Sequence, residues 1–288
     1  MSRVTQSQSS QVRTIHGAVL ARLLPGSLLA LAILVPALRA QEEFDSYKIR
    51  FDGDWIYSNP SGNIQGSSDR VPVDVNRDFQ FNSYSTFLFK ADWKFTRKNH
   101  FYVVVGRFDQ SRETQLSRTI TFQNQTFSAG AITHVSLNYN VYSPGYQYDI
   151  IRRRRGHLGI AVQMNVADTT GKITAAAQVT SNGVLQAARS AQGSLTAPLP
   201  VAGPEFRLYL FNSPRLFVEA NAYGMYFGGY GNFVSSRGAV GVAVTKHISL
   251  KGGYALASRL EINNKSSSKR IGVRLTERGA QAGLEFSF

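Results

Sequence analysis

A chain of 288 residues with 32 Lys+Arg against 18 Asp+Glu carries a formal net charge of +14, and 43% of its residues are hydrophobic. That apolar content excludes a wholly disordered chain. The absence of Cys excludes a disulfide framework, a thiolate metal site, a catalytic thiol and a lipid-anchored N-terminal Cys.

Residues 1–40 contain Arg3, Arg13, Arg22 and Arg39 and no acid, and an apolar run from Leu23 to Val35 ends in Pro36-Ala37-Leu38-Arg39-Ala40. A charged start, a short apolar core and small residues before a polar segment make a secretory signal peptide, cleaved after Ala37 or Ala40. Pro25 and Gly26 interrupt the run, which is too short to span a membrane as a helix. Removing residues 1–40 lowers the net charge from +14 to +10. The expected organisation is a signal peptide over 1–40 and one exported domain over 41–288.

Beyond residue 40 nothing approaches the ~18 continuous apolar residues of a transmembrane helix. Period-two alternation takes over, the pattern of strands with two unlike faces. In residues 47–57, Tyr47, Ile49, Phe51, Trp55 and Tyr57 alternate with Lys48, Arg50, Asp52, Asp54 and Ile56. In residues 86–95, Phe87, Phe89, Ala91, Trp93 and Phe95 alternate with Thr86, Leu88, Lys90, Asp92 and Lys94. Further strands are predicted over 101–111, 132–150, 157–168, 199–211, 216–227, 236–246, 248–262 and 270–288, ten in all. The phase slips near Ser143-Pro144-Gly145 and near Gly279, where a β-bulge would sit.

Connection lengths alternate as well. Short turns are expected at 97–99, 151–156, 212–215 and 245–247, and long polar connections at 58–82, 112–131, 169–198, 228–235 and 263–269. One trimmed end and one elaborated end, with an even strand count, describe a transmembrane barrel whose termini share the short-turn side. Eight strands is the alternative if two hairpins are extracellular. Trp93, Phe95, Phe101, Tyr102, Tyr146 and Tyr148 lie beside the short turns, and Trp55, Tyr57, Tyr226 and Tyr230 toward the long loops. Two such girdles of rings belong at lipid–water boundaries.

The chain ends Ala280-Gln281-Ala282-Gly283-Leu284-Glu285-Phe286-Ser287-Phe288, with apolar side chains on every second position. This strand resembles the C-terminal assembly signal of bacterial outer-membrane β-barrel proteins, with Phe288 as terminal aromatic and Phe286, Leu284 and Ala282 on the lipid face. The resemblance covers residues 44–288 at the level of architecture. It implies an all-β, ten-stranded antiparallel transmembrane barrel in the outer membrane of a Gram-negative cell. It also implies recognition of the last strand by the barrel assembly machinery and contact with outer-membrane lipids. No motif in it fixes an activity.

A Lys or Arg on the lipid face near the midplane costs ~2–4 kcal/mol, so apolar positions face out and their alternates face in. The lumen is then expected to hold Lys48, Arg50, Lys90, Lys94, Arg107, Arg207, Arg237, Lys251 and Arg259 against Asp52, Asp54, Asp92, Asp109, Glu205, Glu219, Glu261 and Glu285. Open aqueous channels need ~16–18 strands, so ten strands around paired charges read as a plugged or very narrow interior. The simpler role for these charges is a self-satisfying hydrogen-bonded network. The other is a constricted solute path whose selectivity they set.

Catalytic signals are sparse. His100, His157 and His247 sit at short turns, where interface packing accounts for them. His134 and Ser136 share a strand face, and outer-membrane lipid A deacylases use a His-x-Ser pair. Here Val135, Leu137, Tyr139 and Val141 are expected on the lipid face, which turns the pair inward. Asp52 and Asp54 are paired acids with no His-Asp counterpart for protease chemistry. No metal-ligand spacing and no phosphate-cradling loop is present. Arg97, Lys98, Arg152, Arg153, Arg154, Arg155, Arg215 and Lys246 form a basic collar on the short turns, suited to anionic headgroups rather than nucleic acid. The expected protein is a non-enzymatic outer-membrane barrel without cofactor, serving envelope structure or extracellular contact. A narrow pore for small polar solutes or ions is the second reading and a lipid hydrolase the third.

Overall fold

Alternating side chains give each segment one apolar and one polar face, and only a sheet closed on itself can present the apolar faces to lipid without a free edge. The computed structural model of the chain describes residues 44–65, 73–81, 83–122, 125–179, 185–211, 213–227, 231–263 and 272–288, so the expected signal peptide lies outside the described residues. Among the described residues the barrel strands are β1 (Ile49–Gln65), β2 (Tyr84–Lys94), β3 (Asn99–Gln115), β4 (Ile132–Arg153) and β5 (Gly156–Ala175), followed by β6 (Arg189–Tyr209), β7 (Leu216–Phe227), β8 (Gly231–Ala243), β9 (Ile248–Asn263) and β10 (Gly272–Ser287). Each pairs antiparallel with its neighbour in sequence, and β1 closes on β10 from Arg50↔Ser287 to Gln65↔Gly272. Ten strands in one up-and-down meander make a barrel.

The apolar outer band has a sharp upper limit that runs across five strands. Phe89, Val105, Tyr142, Val166 and Pro198 form one cross-strand row. One step toward the long loops the row reads Phe87, Arg107, Asn140, Asp168 and Thr196, and the next from β3 to β6 reads Asp109, Asn138, Thr170 and Ser194. Below that limit β5 turns Leu158, Ile160, Val162, Met164 and Val166 outward over nine residues, the length a tilted strand needs to cross a bilayer. Above it the strands continue, with their polar residues outside.

Inside, polarity inverts over the same distance. Toward the short turns the interior is charged, whereas at the long-loop end it is an apolar core of Val135, Ile173 and Ala191 with Leu116, Ile120, Phe122 and Phe127. Val73, Val75, Phe79 and Phe81, from the connection between β1 and β2, pack into the same core. That segment is locked by its own acids. Asp74 Oδ1 accepts the N–H groups of Asn76 and Arg77, and Asp78 accepts the Asp74 N–H and two guanidinium bonds from Arg118. Burial alone would push the Asp78 carboxyl up, but hydrogen bonds from Arg118, the Asp74 backbone and Arg77 hold it at about 2.

This inversion corrects three expectations. The supposed loops 58–82, 112–131 and 169–198 contain strand as far as Gln65, Gln115 and Ala175, and strand again from Arg189. Of the expected connection 228–235, residues 231–235 are already strand β8, and 228–230 lie outside the described residues. There is no bulge at Ser143-Pro144-Gly145, because Tyr142↔Val166 and Gly145↔Gln163 keep one register. The bulge on β4 lies between Asp149 and Ile151, which puts both Ile150 and Ile151 outside. The second irregularity is carried by β9 between Ala255 and Ser258, opposite Gly279. Gly156 closes the β4–β5 turn at φ 141°, and a Cβ there would overlap the Arg207 carbonyl oxygen.

Candidate functional site

The lumen at the short-turn end is filled by a floor of paired side chains. Its centre is His100, fully buried, with Nδ1 3.2 Å from Asp92 Oδ1 and Nε2 3.1 Å from Asp149 Oδ2. Arg50 Nη2 donates to Asp92 at 3.3 Å, Gln147 to Asp149 at 2.9 Å and Arg152 to Asp149 at 2.7 Å. Residues 44–47 cross this floor ahead of β1. Asp45 lies 2.7 Å from His157 Nδ1, its carbonyl accepts from Lys94 at 2.9 Å and Arg152 at 2.8 Å, and Tyr47 donates to Asp92 at 3.0 Å. Lys94 Nζ sits 3.7 Å above the Tyr47 ring. A second layer lies beside it: Arg207 bonds Glu285 and Glu219, and Lys251 contacts Asp52 at 2.6 Å, Glu219 at 3.1 Å and Asp54 at 3.6 Å.

Beyond the second layer a cavity of about 200 Å³ begins. Lys90 donates to Glu205 at 2.9 Å, Tyr223 donates to the other Glu205 oxygen at 2.5 Å, and Tyr102 donates to Gln163 at 3.0 Å along one wall. Toward the long loops the walls become Tyr84, Leu88, Phe108, Tyr139 and Val141. Tyr84 and Phe108 pack with ring centroids 4.3 Å apart. The chamber is therefore polar at its base and aromatic above.

The structure brings Arg50, Asp52, Asp54, Lys90, Asp92, Lys94, Glu205, Arg207, Glu219, Lys251 and Glu285 into one lumenal network, with Arg237 on the chamber wall. Lys48 is a correction: it precedes the first ladder residue, its N–H goes to the Phe288 carbonyl, and its side chain is exposed. Arg107 and Asp109 are a second correction. They follow Phe101, Val103 and Val105 on one unbroken face of β3, and they point out above the apolar band, paired at 3.3 Å. The side chains of Arg259 and Glu261 lie outside the described residues.

Other expectations also change. Val135 is buried and Tyr139 and Val141 line the chamber, so His134 and Ser136 face outward instead of inward. Glu113 lies directly across from His134, but no hydrogen bond joins the three side chains. Tyr102 is a lumenal ring, not a girdle residue, because β3 turns its even positions inward. His100 and His157 are lumenal ligands of carboxylates rather than interface packing, and Arg152 belongs to the floor rather than the collar. Asp45, Tyr47, Gln147 and Asp149 were missed. The alternation of Gln147 and Asp149 with Tyr146, Tyr148 and Ile150 carries the signal for two of them; Asp45 lies before any strand and has none.

Leu284 and Phe286 are exposed on the outer face of β10, and the Phe288 ring stacks on His247 with centroids 5.6 Å apart. Trp55, Phe87, Trp93, Phe101 and Tyr148 are likewise exposed on the outside, and Tyr230 lies outside the described residues.

No protein-family model and no curated protein matches the chain. Among solved structures it is similar to the outer membrane protease OmpT from Escherichia coli, at 11% identity and TM-score 0.47 over 85% of this chain and 100% of that one. It is also similar to a Pseudomonas aeruginosa FadL homologue, at 9% and 0.39 over 84% and 90%, and to Neisserial surface protein A, at 11% and 0.31 over 83% and 97%. Scores this low carry nothing about activity. The barrel's own surface decides the matter, since charges sealed within and a nine-residue apolar belt outside are stable only in lipid. By that geometry the chain has the architecture of a bacterial outer-membrane β-barrel protein.

Proposed function

We propose that the protein is a non-conducting, non-enzymatic outer-membrane barrel that presents a β-structured surface outside the cell for contact. The observation that supports this reading is the continuation of β3–β6 beyond the apolar belt, where Asn138, Asn140, Asp168, Thr170, Lys172 and Thr196 face outward. A filled floor of buried ion pairs speaks against the pore reading, and a His134–Ser136 pair without a hydrogen bond against the hydrolase reading. The exposed Leu284 and Phe286, with Phe288 at the end, fit the further proposal that the assembly machinery reads β10.

Because the chain has no Cys, single Cys substitutions test display directly. Thr170→Cys on intact cells should react with a membrane-impermeant maleimide, and Val162→Cys should not. Cells carrying the chain should also lose surface attachment when Asn138, Asn140, Thr170 and Lys172 on that outer face are replaced together by Ala. Equal attachment by both would sink the contact role. Stable conductance steps from the refolded wild type in a planar bilayer would favour the pore instead.

A further inference from the structure

The short-turn end carries charge that the lumenal floor does not absorb. Arg153, Arg154 and Arg155 at the β4–β5 turn and Arg215 at the β6–β7 turn are exposed, and neither turn contains an acid. Among the described residues none of the four is paired with a carboxylate. The two turns are neighbours. The Tyr209 N–H donates to the Arg155 carbonyl at 2.7 Å, and Arg155 Nε donates back to the Tyr209 carbonyl at 3.3 Å. Arg154 lies 5.0 Å over the Phe44 ring, which meets Tyr209 edge-on at 5.9 Å. Two residues beyond Tyr209 comes Phe211, whose ring is 84% exposed. Its φ is 52°, a left-handed conformation that a bulky side chain seldom takes. At that exposure, contacts within the chain offset little of the strain, so the ring is presented to the surroundings.

We propose that these two turns form a binding site for a net-anionic glycerophospholipid of the leaflet at the short-turn end. Three features combine in this assignment. Guanidinium groups match a phosphodiester bidentately, and bases on two adjacent turns suit a headgroup whose phosphate is not offset by an ammonium of its own. The depth is right: Leu208 is the last outward apolar residue of β6, and three more residues on a tilted strand climb at most ~7 Å, about the depth of a headgroup layer. The exposed Phe211 ring beside these bases repeats, on two turns, the pairing of apolar and basic side chains that holds interfacial segments in anionic lipid. A soluble phosphate or a nucleic acid would use the bases and leave the ring in water. This inference is independent of the contact role proposed above, which concerns the other end of the barrel.

The test places one fluorescent reporter at the ring. The chain has two Trp, so Trp55→Phe and Trp93→Phe with Phe211→Trp leave a single indole at position 211. The full chain is refolded into phosphatidylcholine vesicles in which about one-tenth of the lipid is brominated on its acyl chains. Brominated phosphatidylglycerol should quench that reporter about threefold to fivefold more than brominated phosphatidylcholine at the same fraction, roughly the enrichment that one well-placed base confers. The side chains of Arg153 and Arg215 make no hydrogen bond or ion pair among the described residues, so Arg153→Gln with Arg215→Gln should bring the ratio close to one without disturbing the fold. With Trp93→Phe alone, Trp55 at the opposite edge of the belt should show a ratio close to one. Migration on unheated gels shows whether each variant is folded, and Arg153→Gln by itself, which should at least halve the excess, serves if the pair is not. The assignment is overturned by equal quenching at position 211, by the same excess at Trp55, or by a folded Gln pair that keeps the full excess. It is also overturned if millimolar glycerol phosphate abolishes the excess, which would give the bases to a soluble phosphate.

Discussion

Asp78 shows how one carboxylate can hold a segment in place. It is 1% exposed and takes both Arg118 nitrogens, at 2.9 and 2.5 Å, while also accepting the Asp74 N–H. Its folded pKa of about 2 lies below the ~3.9 of an unfolded Asp, so its contribution is fully present above pH ~4 and is lost as pH falls through about 2. The amides of Val75 and Phe81, bonded to the Gly62 and Val75 carbonyls, should therefore lose hydrogen-exchange protection between pH 4 and 2, and Asp78→Asn should remove most of that dependence. The expected loss is about 1–2 kcal/mol at neutral pH, discounted because Arg77 and part of Arg118 meet solvent. Arg207 makes the opposite case inside the lumen. It bonds both Glu285 and Glu219, so Arg207→Met leaves the buried Glu285 carboxylate without its guanidinium, while Glu219 keeps Lys251, and should cost about 3–5 kcal/mol. The triple variant Arg207→Met, Glu219→Gln, Glu285→Leu should recover much of the loss in urea unfolding from lipid vesicles. No recovery would mean that the charges stabilise the barrel beyond mutual compensation.

At the scale of the strand, the sequence carries the period faithfully but not the meaning of its phase. Within the membrane belt, apolar positions face out, and β1, β2 and β5 are legible from alternation alone. Above the belt the same strand needs apolar residues inside and polar ones outside, so the hydrophobic phase inverts with no change in backbone register. On β4, Tyr142 to Ile150 and Val135 to Val141 lie on opposite faces of a single ladder. Sequence reasoning took that inversion for a bulge at Ser143-Pro144-Gly145, placed Arg107 and Asp109 in the lumen, and turned His134 the wrong way. The extended tops of β5 and β6, rich in Thr, Ser, Gly and Gln, passed for loop for the same reason. Two substitutions on one face of β5 separate the zones. Val162→Lys should cost ~2–4 kcal/mol in refolding into lipid vesicles, whereas Thr170→Lys, four pairs of residues along, should be close to neutral. Equal costs at the two positions would place the membrane boundary elsewhere.

At the scale of the whole barrel, strand count and closure followed from even numbering and unequal connections. The floor did not, because it depends on a segment with no strand pattern of its own. Asp45 stands among Arg50, Lys94, Arg152 and His157, at 3.6, 3.8, 3.9 and 2.7 Å, and Tyr47 bridges Asp92 and His100. These contacts make residues 44–47 the piece that joins β1, β2, β3, β4 and β5 across the lumen. If they close the barrel, Asp45→Ala with Tyr47→Ala leaves mutually repelling cations around a gap, while the barrel ladder that starts at Ile49 keeps all of its pairs. The double variant should still migrate as a folded barrel on an unheated gel, yet show small conductance steps in a planar bilayer where the wild type is silent. Those steps should favour anions, since the carboxylate removed is the one that neutralises the surrounding bases. A folded double variant that stays silent would show that the layer of Asp92, His100 and Asp149 closes the lumen without help from the N-terminal segment.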